Sequence, residues 1–464
     1  MHLPRLLLAA PMSGSGKTTV MAGLIAAFGA QGLRVAPFKV GPDYIDPSYH
    51  ALAAARPCPN LDAWMLPPDV IPSLLARHSR TADLTLIEGV MGLFDGYAGS
   101  DDTGSSAHIA RLTATPVLLV LDVRAQARTA AALVQGLRNF DPRLSLVGVI
   151  LNRVGSPRHA EMVTAAIEEH VGLPVVGALL RSEAVQVPER HLGLVPTAEP
   201  GRWPTWLEHA RTLVAAQVDL ARVLELAQHA PPLPVPDEPS SITALPTPAP
   251  PVIAVAQDAA FSFHYQDNLD FLREAGATVV RFSPLSDPAL PPNTRAIYLG
   301  GGFPEVYAAQ LAANATLREQ IRHAAGAGMP IYAECGGLMY LTETLHDLDG
   351  QTFPMVGVLP GCSRMTARLT LGYRTVQAAA ENWLLHPHET LRGHEFHYSI
   401  WEREAAHLSP TYTILPDQWH TEPRTEGAVI GKVLASYVHL HFLAHPALAA
   451  RVVAAAQAYT GSHR

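Results

Sequence analysis

Short apolar runs recur along the first half of the chain, separated by longer stretches with helical character. Strand-like runs fall at 5–10, 34–39, 84–88, 116–122, 145–152 and 174–179, and helix-like segments such as 17–30, 104–112 and 127–139 lie between them. The runs are continuous rather than alternating, as strands covered on both faces require, and helical crossovers between them predict a mostly parallel sheet. The second half repeats the scheme with strands at 252–257, 278–282, 296–299 and 330–334 and helices at 266–275, 308–326 and 338–345. From about residue 357 the pattern loosens into β-rich segments and closes on a helix at 446–459. Between the halves, nine of the 21 residues from 231 to 251 are proline. Proline removes a backbone donor and restricts φ, so this stretch is expected to be a semi-rigid linker. The expected organisation is an α/β domain at 1–229, a linker at 230–251 and a second α/β domain at 252–464.

Length and composition narrow the class. At 464 residues, 48% hydrophobic and 16% charged, the chain is that of a globular protein with more than one core. No apolar stretch is long enough to span a bilayer. A formal charge of −8 offers no global attraction to nucleic acid or an anionic membrane, so neither is expected as a partner. Three scattered cysteines, Cys58, Cys335 and Cys362, form neither a disulfide framework nor a CxxC pair, and a reducing cytoplasm is expected. Residues 1–10 are apolar, but Pro4 and Arg5 interrupt them and a phosphate loop follows, so they read as a first strand rather than a signal peptide.

That loop is Ser13-Gly14-Ser15-Gly16-Lys17-Thr18-Thr19. Backbone N–H groups at a helix N-terminus stabilise phosphate oxygens, a lysine adds a point charge, and the next hydroxyl can ligate Mg²⁺. The usual pattern begins with glycine, and here that position holds Pro11. Lys39-Val40-Gly41-Pro42-Asp43-Tyr44-Ile45-Asp46-Pro47 ends the second strand and Glu88-Gly89-Val90-Met91-Gly92-Leu93-Phe94-Asp95-Gly96 the third. Open α/β sheets place ligands there. Thr18, Asp43 and Glu88 are the candidate Mg²⁺ ligands, against helix capping or turn formation, and Asp95 reads as a turn residue.

A second chemistry sits downstream. Cys335, in Glu334-Cys335-Gly336-Gly337, lies between a strand and a helix-like stretch, which predicts an exposed thiol with a lowered pKa. His439 lies about a hundred residues further on as a candidate base. Gly300, Gly301 and Gly302, with Gly336, are candidates for an oxyanion and glutamine site. Gly393-His394-Glu395-Phe396-His397 has the wrong spacing for a helical zinc motif and extended-looking flanks, which favours substrate contact or hydrogen-bonded structure over metal.

Taken together, these segments resemble the cobyrinic acid a,c-diamide synthase family within the glutamine amidotransferases. The resemblance spans nearly the whole chain and also draws on Gly148-Val149-Ile150-Leu151-Asn152-Arg153-Val154, Gln266-Asp267-Asn268-Leu269, Leu371-Gly372-Tyr373-Arg374 and residues 436–442. It implies an N-terminal synthetase similar in fold to dethiobiotin synthetase and a class I-type glutaminase with Cys335 as nucleophile and His439 as base. It further implies Mg²⁺, ATP as substrate, L-glutamine as ammonia donor and a corrinoid acceptor. Asp43, Tyr44, Asp46, His394, His397 and Tyr398 would orient the acceptor. Ala333 stands where the wider elbow pattern has glycine, and His441 where a triad glutamate would be expected, so a Cys–His dyad with the imidazole oriented otherwise is anticipated. Hydrogenobyrinic acid, Ni-sirohydrochlorin and the cobyric acid synthase reaction stay open as alternatives, as do monomer and homodimer. A partitioning-type ATPase shares the phosphate loop but needs no thiol half.

Overall fold

The computed structural model describes residues 1–187, 189–190, 193–199, 201–235, 249–403 and 408–461. The chain divides into two compact units, Met1–Ser240 and Ser241–Arg464. Most of the proline-rich stretch, residues 236–248, lies outside the described residues.

The N-terminal unit is built on a seven-stranded sheet in the order Asn60–Leu61, Val35–Val40, Leu84–Glu88, Arg5–Ala9, Val117–Asp122, Leu146–Val154 and Val175–Leu180. Every pairing is parallel. Leu6, Leu7 and Leu8 are fully buried, as a strand with helices on both faces demands. The one polar residue of that strand, Arg5, is also buried. Its guanidinium donates to the carbonyls of Leu3, Thr113, Ala114 and Pro231, and burial lowers its pKa to about 10. All six predicted strands form, with ends shifted by no more than two residues. The helix expected from residue 104 begins at Ser106, because Ser105 caps it by accepting from His108 N.

The C-terminal unit carries a six-stranded sheet ordered Thr278–Phe282, Val252–Ala256, Thr294–Leu299, Ile331–Glu334, Val433–Ser436 and Ala428–Ile430, with only the last pairing antiparallel. A second sheet is formed from the loosely patterned region, centred on the long antiparallel pair Leu359–Ala378 and Thr390–Glu402, with His439–Leu440 at its edge. Two helix expectations are corrected. The segment 308–326 is two helices, Ala308–Ala313 and Ala315–Gly326, because Asn314 leaves helical geometry and donates through Nδ2 to the carbonyls of Pro284 and Asp287. The segment 338–345 is helical only to Leu341. Thr342 then bonds back to Met339 O, and β-branched Thr342 and Thr344 enter strand Thr342–His346. Among the described residues, no helix is long and apolar enough to cross a membrane.

Candidate active sites

Strand Arg5–Ala9 feeds the phosphate loop, and helix Lys17–Ala30 starts where the loop ends. Gly16 holds φ at +87°, and a Cβ there would fall 2.2 Å from Asn152 Nδ2. Only glycine combines that backbone with that approach. The closeness serves a clamp: Asn152 Nδ2 donates to Ser15 O at 2.9 Å and Arg153 Nη1 donates to Gly14 O at 2.7 Å. Arg153 is itself tied to Asp122 at 2.6 Å. Ser13 and Gly14 are exposed at the tip, Ser15 is buried with its hydroxyl donating to Met12 O, and Thr19 is half-buried in the first turn.

Lys17 is buried and reaches across the loop to donate to Met91 O at 2.7 Å; burial lowers its pKa, with Glu88 opposing. Thr18 Oγ1 donates to Glu88 Oε1 at 2.9 Å, and the other Glu88 oxygen is bonded to His50 Nε2. The structure therefore brings the phosphate loop and the third strand end together, as the sequence predicted. Their donor set suits Mg²⁺, since a hydroxyl and a carboxylate oxygen side by side at a helix N-terminus are hard ligands.

Asp43 and Asp46 gather around a residue the sequence reading had not singled out, Lys39. Its Nζ lies 2.8 Å from Asp46, 3.4 Å from Glu88 and 3.7 Å from Asp43, and donates to Gly89 O at 3.1 Å. Burial disfavours the ammonium, but Asp46, Glu88 and Asp43 outweigh it and raise its pKa. Glu88 shows the reverse balance: burial pushes it up, while Lys39 and His50 hold it down to about 2. Asp43 is pushed up to about 7, by burial first and then by Asp46. Its Oδ1 accepts from Ile45 N and Asp46 N in the turn that leads into helix Asp46–Ala54, so of the two structural roles weighed for Asp43 the turn is present and the cap is not. Tyr44 is buried beside it, and Asn60 Nδ2 pins the turn through Gly41 O and Asp43 O. Asp95 accepts from Gly92 N, the turn role expected of it.

In the C-terminal unit, strand Ile331–Glu334 ends in a strained elbow. Cys335 sits at φ +47°, and helix Gly336–Leu341 follows. Contrary to expectation, Cys335 is only 2% exposed and burial raises its pKa well above that of a free thiol; the Gly336 amide lowers it by less. A helix of six residues in a packed core does not offset desolvation. The thiol faces Phe396 O at 3.7 Å.

His439 is fully buried, and the glycine loop closes on it: a Cβ on Gly301 would lie 2.5 Å from its Cε1 and 3.3 Å from its Nε2. The next loop residue, Gly302, has its amide N 3.1 Å from the Cβ position of Gly336, so the loop runs from the imidazole to the elbow. Gly301 N donates to Phe263 O, which removes it from the oxyanion donors. Gly300 packs on His264, whose pKa burial lowers to about 4. Gly302 N and Gly336 N are left as the candidate oxyanion donors. His441 does not serve His439: its Nε2 stands 3.7 Å from Asp267 and its Nδ1 accepts from Leu443 N. Instead, Glu334 lies 3.6 Å from His439 Nδ1.

The segment 393–399 is extended, as anticipated. His394 stands across from His439 in the ladder, and burial lowers its pKa to about 3. His397 stacks on Tyr437 at 3.9 Å and contacts Ser399 O through Nδ1, while Tyr398 packs against the core. Glu395 is gripped by Arg374 and Arg424 at 2.6 Å each; burial alone would raise its pKa, and His397 together with the two arginines holds it to about 2. Arg374, Glu395, His397, Arg424 and Tyr437 line a cavity of about 440 Å³. Phe396, whose carbonyl meets the Cys335 thiol, lies between the lining residues Glu395 and His397, so the cavity neighbours the thiol.

Comparison with known proteins agrees with this two-site arrangement. Residues 6–195 match the CobQ/CobB/MinD/ParA nucleotide binding domain, and residues 252–447 the CobB/CobQ-like glutamine amidotransferase domain. A cobyrinate a,c-diamide synthase of Dehalococcoides mccartyi (strain CBDB1) is 47% identical over 97% of both chains. A hydrogenobyrinate a,c-diamide synthase of Thermobifida fusca is 46% identical, covering 98% of this chain and 97% of its own. A cobyrinate a,c-diamide synthase of Listeria monocytogenes serotype 4b is 42% identical over 94% and 96%. A phosphate loop clamped beside an acidic strand end, a buried cysteine and a buried histidine flanking a glycine loop, and relatives matched over nearly their full length converge: the chain belongs to the cobyrinate/hydrogenobyrinate a,c-diamide synthase family of glutamine amidotransferases.

Proposed function

We propose that the protein amidates the a and c side-chain carboxylates of cobyrinic acid, or of its metal-free counterpart hydrogenobyrinic acid, using ATP and glutamine. The observation that carries this reading is the presence of both chemistries in one chain: Lys17 and Thr18 on a phosphate loop, and Cys335 and His439 around a glycine loop. In the C-terminal unit, His439 takes the Cys335 proton as sulfur attacks the glutamine side-chain amide, and Gly302 N and Gly336 N stabilise the oxyanion. His439 then protonates departing ammonia, and water releases glutamate from the thioester. The Arg374–Glu395 cavity supports glutamine as the donor, because an α-carboxylate and an α-ammonium need one cation and one anion.

In the N-terminal unit, the acceptor carboxylate attacks the γ-phosphoryl group of ATP to give an acyl phosphate as ADP leaves, and ammonia displaces phosphate from it. A carboxylate is a poor electrophile, and phosphorylation corrects that. Lys17 offsets charge on the transferring group. Thr18 and Glu88 would hold Mg²⁺, which when bound neutralises phosphate charge. Lys39 pairs with Asp46, helps keep Glu88 ionised and orders the acceptor side of the site. Three free cysteines fit a reducing cytoplasm. The test is mass spectrometry of the product formed from cobyrinic acid, or from hydrogenobyrinic acid, with Mg²⁺-ATP and glutamine. Two amidations and no third are expected; refusal of both acids would overturn the substrate, and further amidation would point to the cobyric acid synthase reaction.

A further inference from the structure

A buried histidine base needs a partner on the nitrogen that does not meet the nucleophile. That partner sets the tautomer and stabilises the imidazolium that forms. Two residues beyond His439 the chain offers His441, which is turned to Asp267 and Leu443 N. The carboxylate that does face His439 Nδ1 is Glu334, at 3.6 Å, from the residue preceding the nucleophile. We propose that Glu334 is the positioning residue of this glutaminase, completing a Cys335–His439–Glu334 triad from the end of the nucleophile's own strand.

Glu334 is built to hold a fixed charge. It is 1% exposed, Tyr298 OH donates to its Oε2 at 2.9 Å, and Tyr332 OH and Leu440 N donate to its Oε1 at 2.5 and 3.0 Å. An isolated buried carboxylate would be strongly destabilising, and hydrogen bonds to a charged group are stronger than neutral ones, so three of them make the ionised form tenable. Burial pushes its pKa up, and the bonds from His439, Leu440 and Tyr332 turn the balance downward. Leu440 follows His439 directly, so the amide that anchors Glu334 also fixes the backbone beside the base. The imidazole is left with Nδ1–H towards Glu334 and Nε2 beside the glycine loop. When Cys335 attacks, its proton passes to Nε2, the Nδ1 proton stays put, and the new imidazolium lies against the carboxylate. That Nε2 proton then leaves with ammonia, and Glu334 is unchanged through the cycle. The other titratable groups facing His439 are His264 and His394, both kept neutral by burial.

The inference rests on Cys335 and His439 acting as proposed above, and Cys335→Ala tests that separately: glutaminase activity surviving this change would sink the reading itself. Glu334→Gln keeps shape and can still accept from Tyr332 and Leu440, but it presents an N–H to Nδ1 and reverses the tautomer. In steady-state glutamine hydrolysis by the full chain, it should lower kcat by about 100-fold or more while KM moves less than about threefold. The acid limb of kcat/KM against pH should shift to lower pH, because the imidazolium loses its counter-charge. In a His439→Ala background the same change should alter kcat by less than about twofold, since its effect passes through the imidazole. Glu334→Asp, which keeps the charge and withdraws it by one methylene, is the second variant should the glutamine form fail to fold; a loss of about tenfold with the same direction of pH shift is expected. Unchanged kcat in a folded Glu334 variant, an unmoved acid limb, or losses that add in the double variant would each overturn the proposal.

Discussion

Cys335 sets burial against reactivity. A thiol this enclosed stays protonated at neutral pH, so attack depends on His439 rather than on a standing thiolate. Replacing Cys335 with Ala should abolish glutamine-driven amidation, with loss of more than about 1,000-fold, yet leave amidation by added ammonium intact. Lys17→Ala should stop amidation with either nitrogen source, because it acts on the phosphoryl group and not on ammonia. A different residue governs acid stability. Glu395 is held at about 2 by His397 and its two arginines, below the ordinary value near 4.5. A depressed carboxylate stabilises the fold above its unfolded pKa and loses that contribution as pH falls towards the folded one. Thermal denaturation should therefore show melting temperature dropping between about pH 4.5 and 2, and Glu395→Gln should flatten that slope while lowering stability at neutral pH.

The loops at strand ends carry the chemistry, and their glycines are where element geometry is least forgiving. An alanine at Gly16 would need a left-handed backbone and would drive its Cβ into the Asn152 amide, breaking the clamp on Ser15. Gly16→Ala should weaken nucleotide binding by at least about tenfold in titration calorimetry, through a misplaced loop rather than a lost charge. At Gly301 the obstacle is the imidazole of His439, so Gly301→Ala should impair glutamine hydrolysis. The long β-pair 359–402 was not resolved into strands by its pattern, because partly exposed strands with bulges mix polar and apolar positions on both faces. Segment 338–345 misled for the opposite reason: a short apolar run fits helix and strand alike, and the threonine hydroxyl decided where the helix stopped.

The proposed mechanism assigns one half-reaction to each unit of the molecule, so the two activities should separate by mutation. A mixture of Lys17→Ala and Cys335→Ala proteins should regain glutamine-driven amidation only after a lag. Ammonia released by the first must build up in solution before the second can use it. A continuous assay of ATP hydrolysis and product formation checks this, and an immediate full rate would show that the halves were never independent sources and sinks. Family membership follows from the whole chain, since both domain matches and the end-to-end relatives are needed to distinguish it from a lone nucleotide-binding domain.

Much of this protein was legible in its sequence. Continuous apolar runs, the phosphate-loop string, the Cys335 elbow and the glycine loop are local patterns, and each encodes a backbone geometry within a few residues. What the sequence could not decide was pairing at a distance. Lys39 belongs to Asp43, Asp46 and Glu88, Asn152 and Arg153 clamp a loop more than a hundred residues away, and Glu334 rather than His441 faces His439. Nor could it show that Cys335 is buried, because desolvation is a property of everything packed around an atom. Parallel strands bring their carboxyl ends side by side whatever their separation along the chain, so the partners of a charge, and through them its pKa and its chemistry, are settled only when the sheet is assembled.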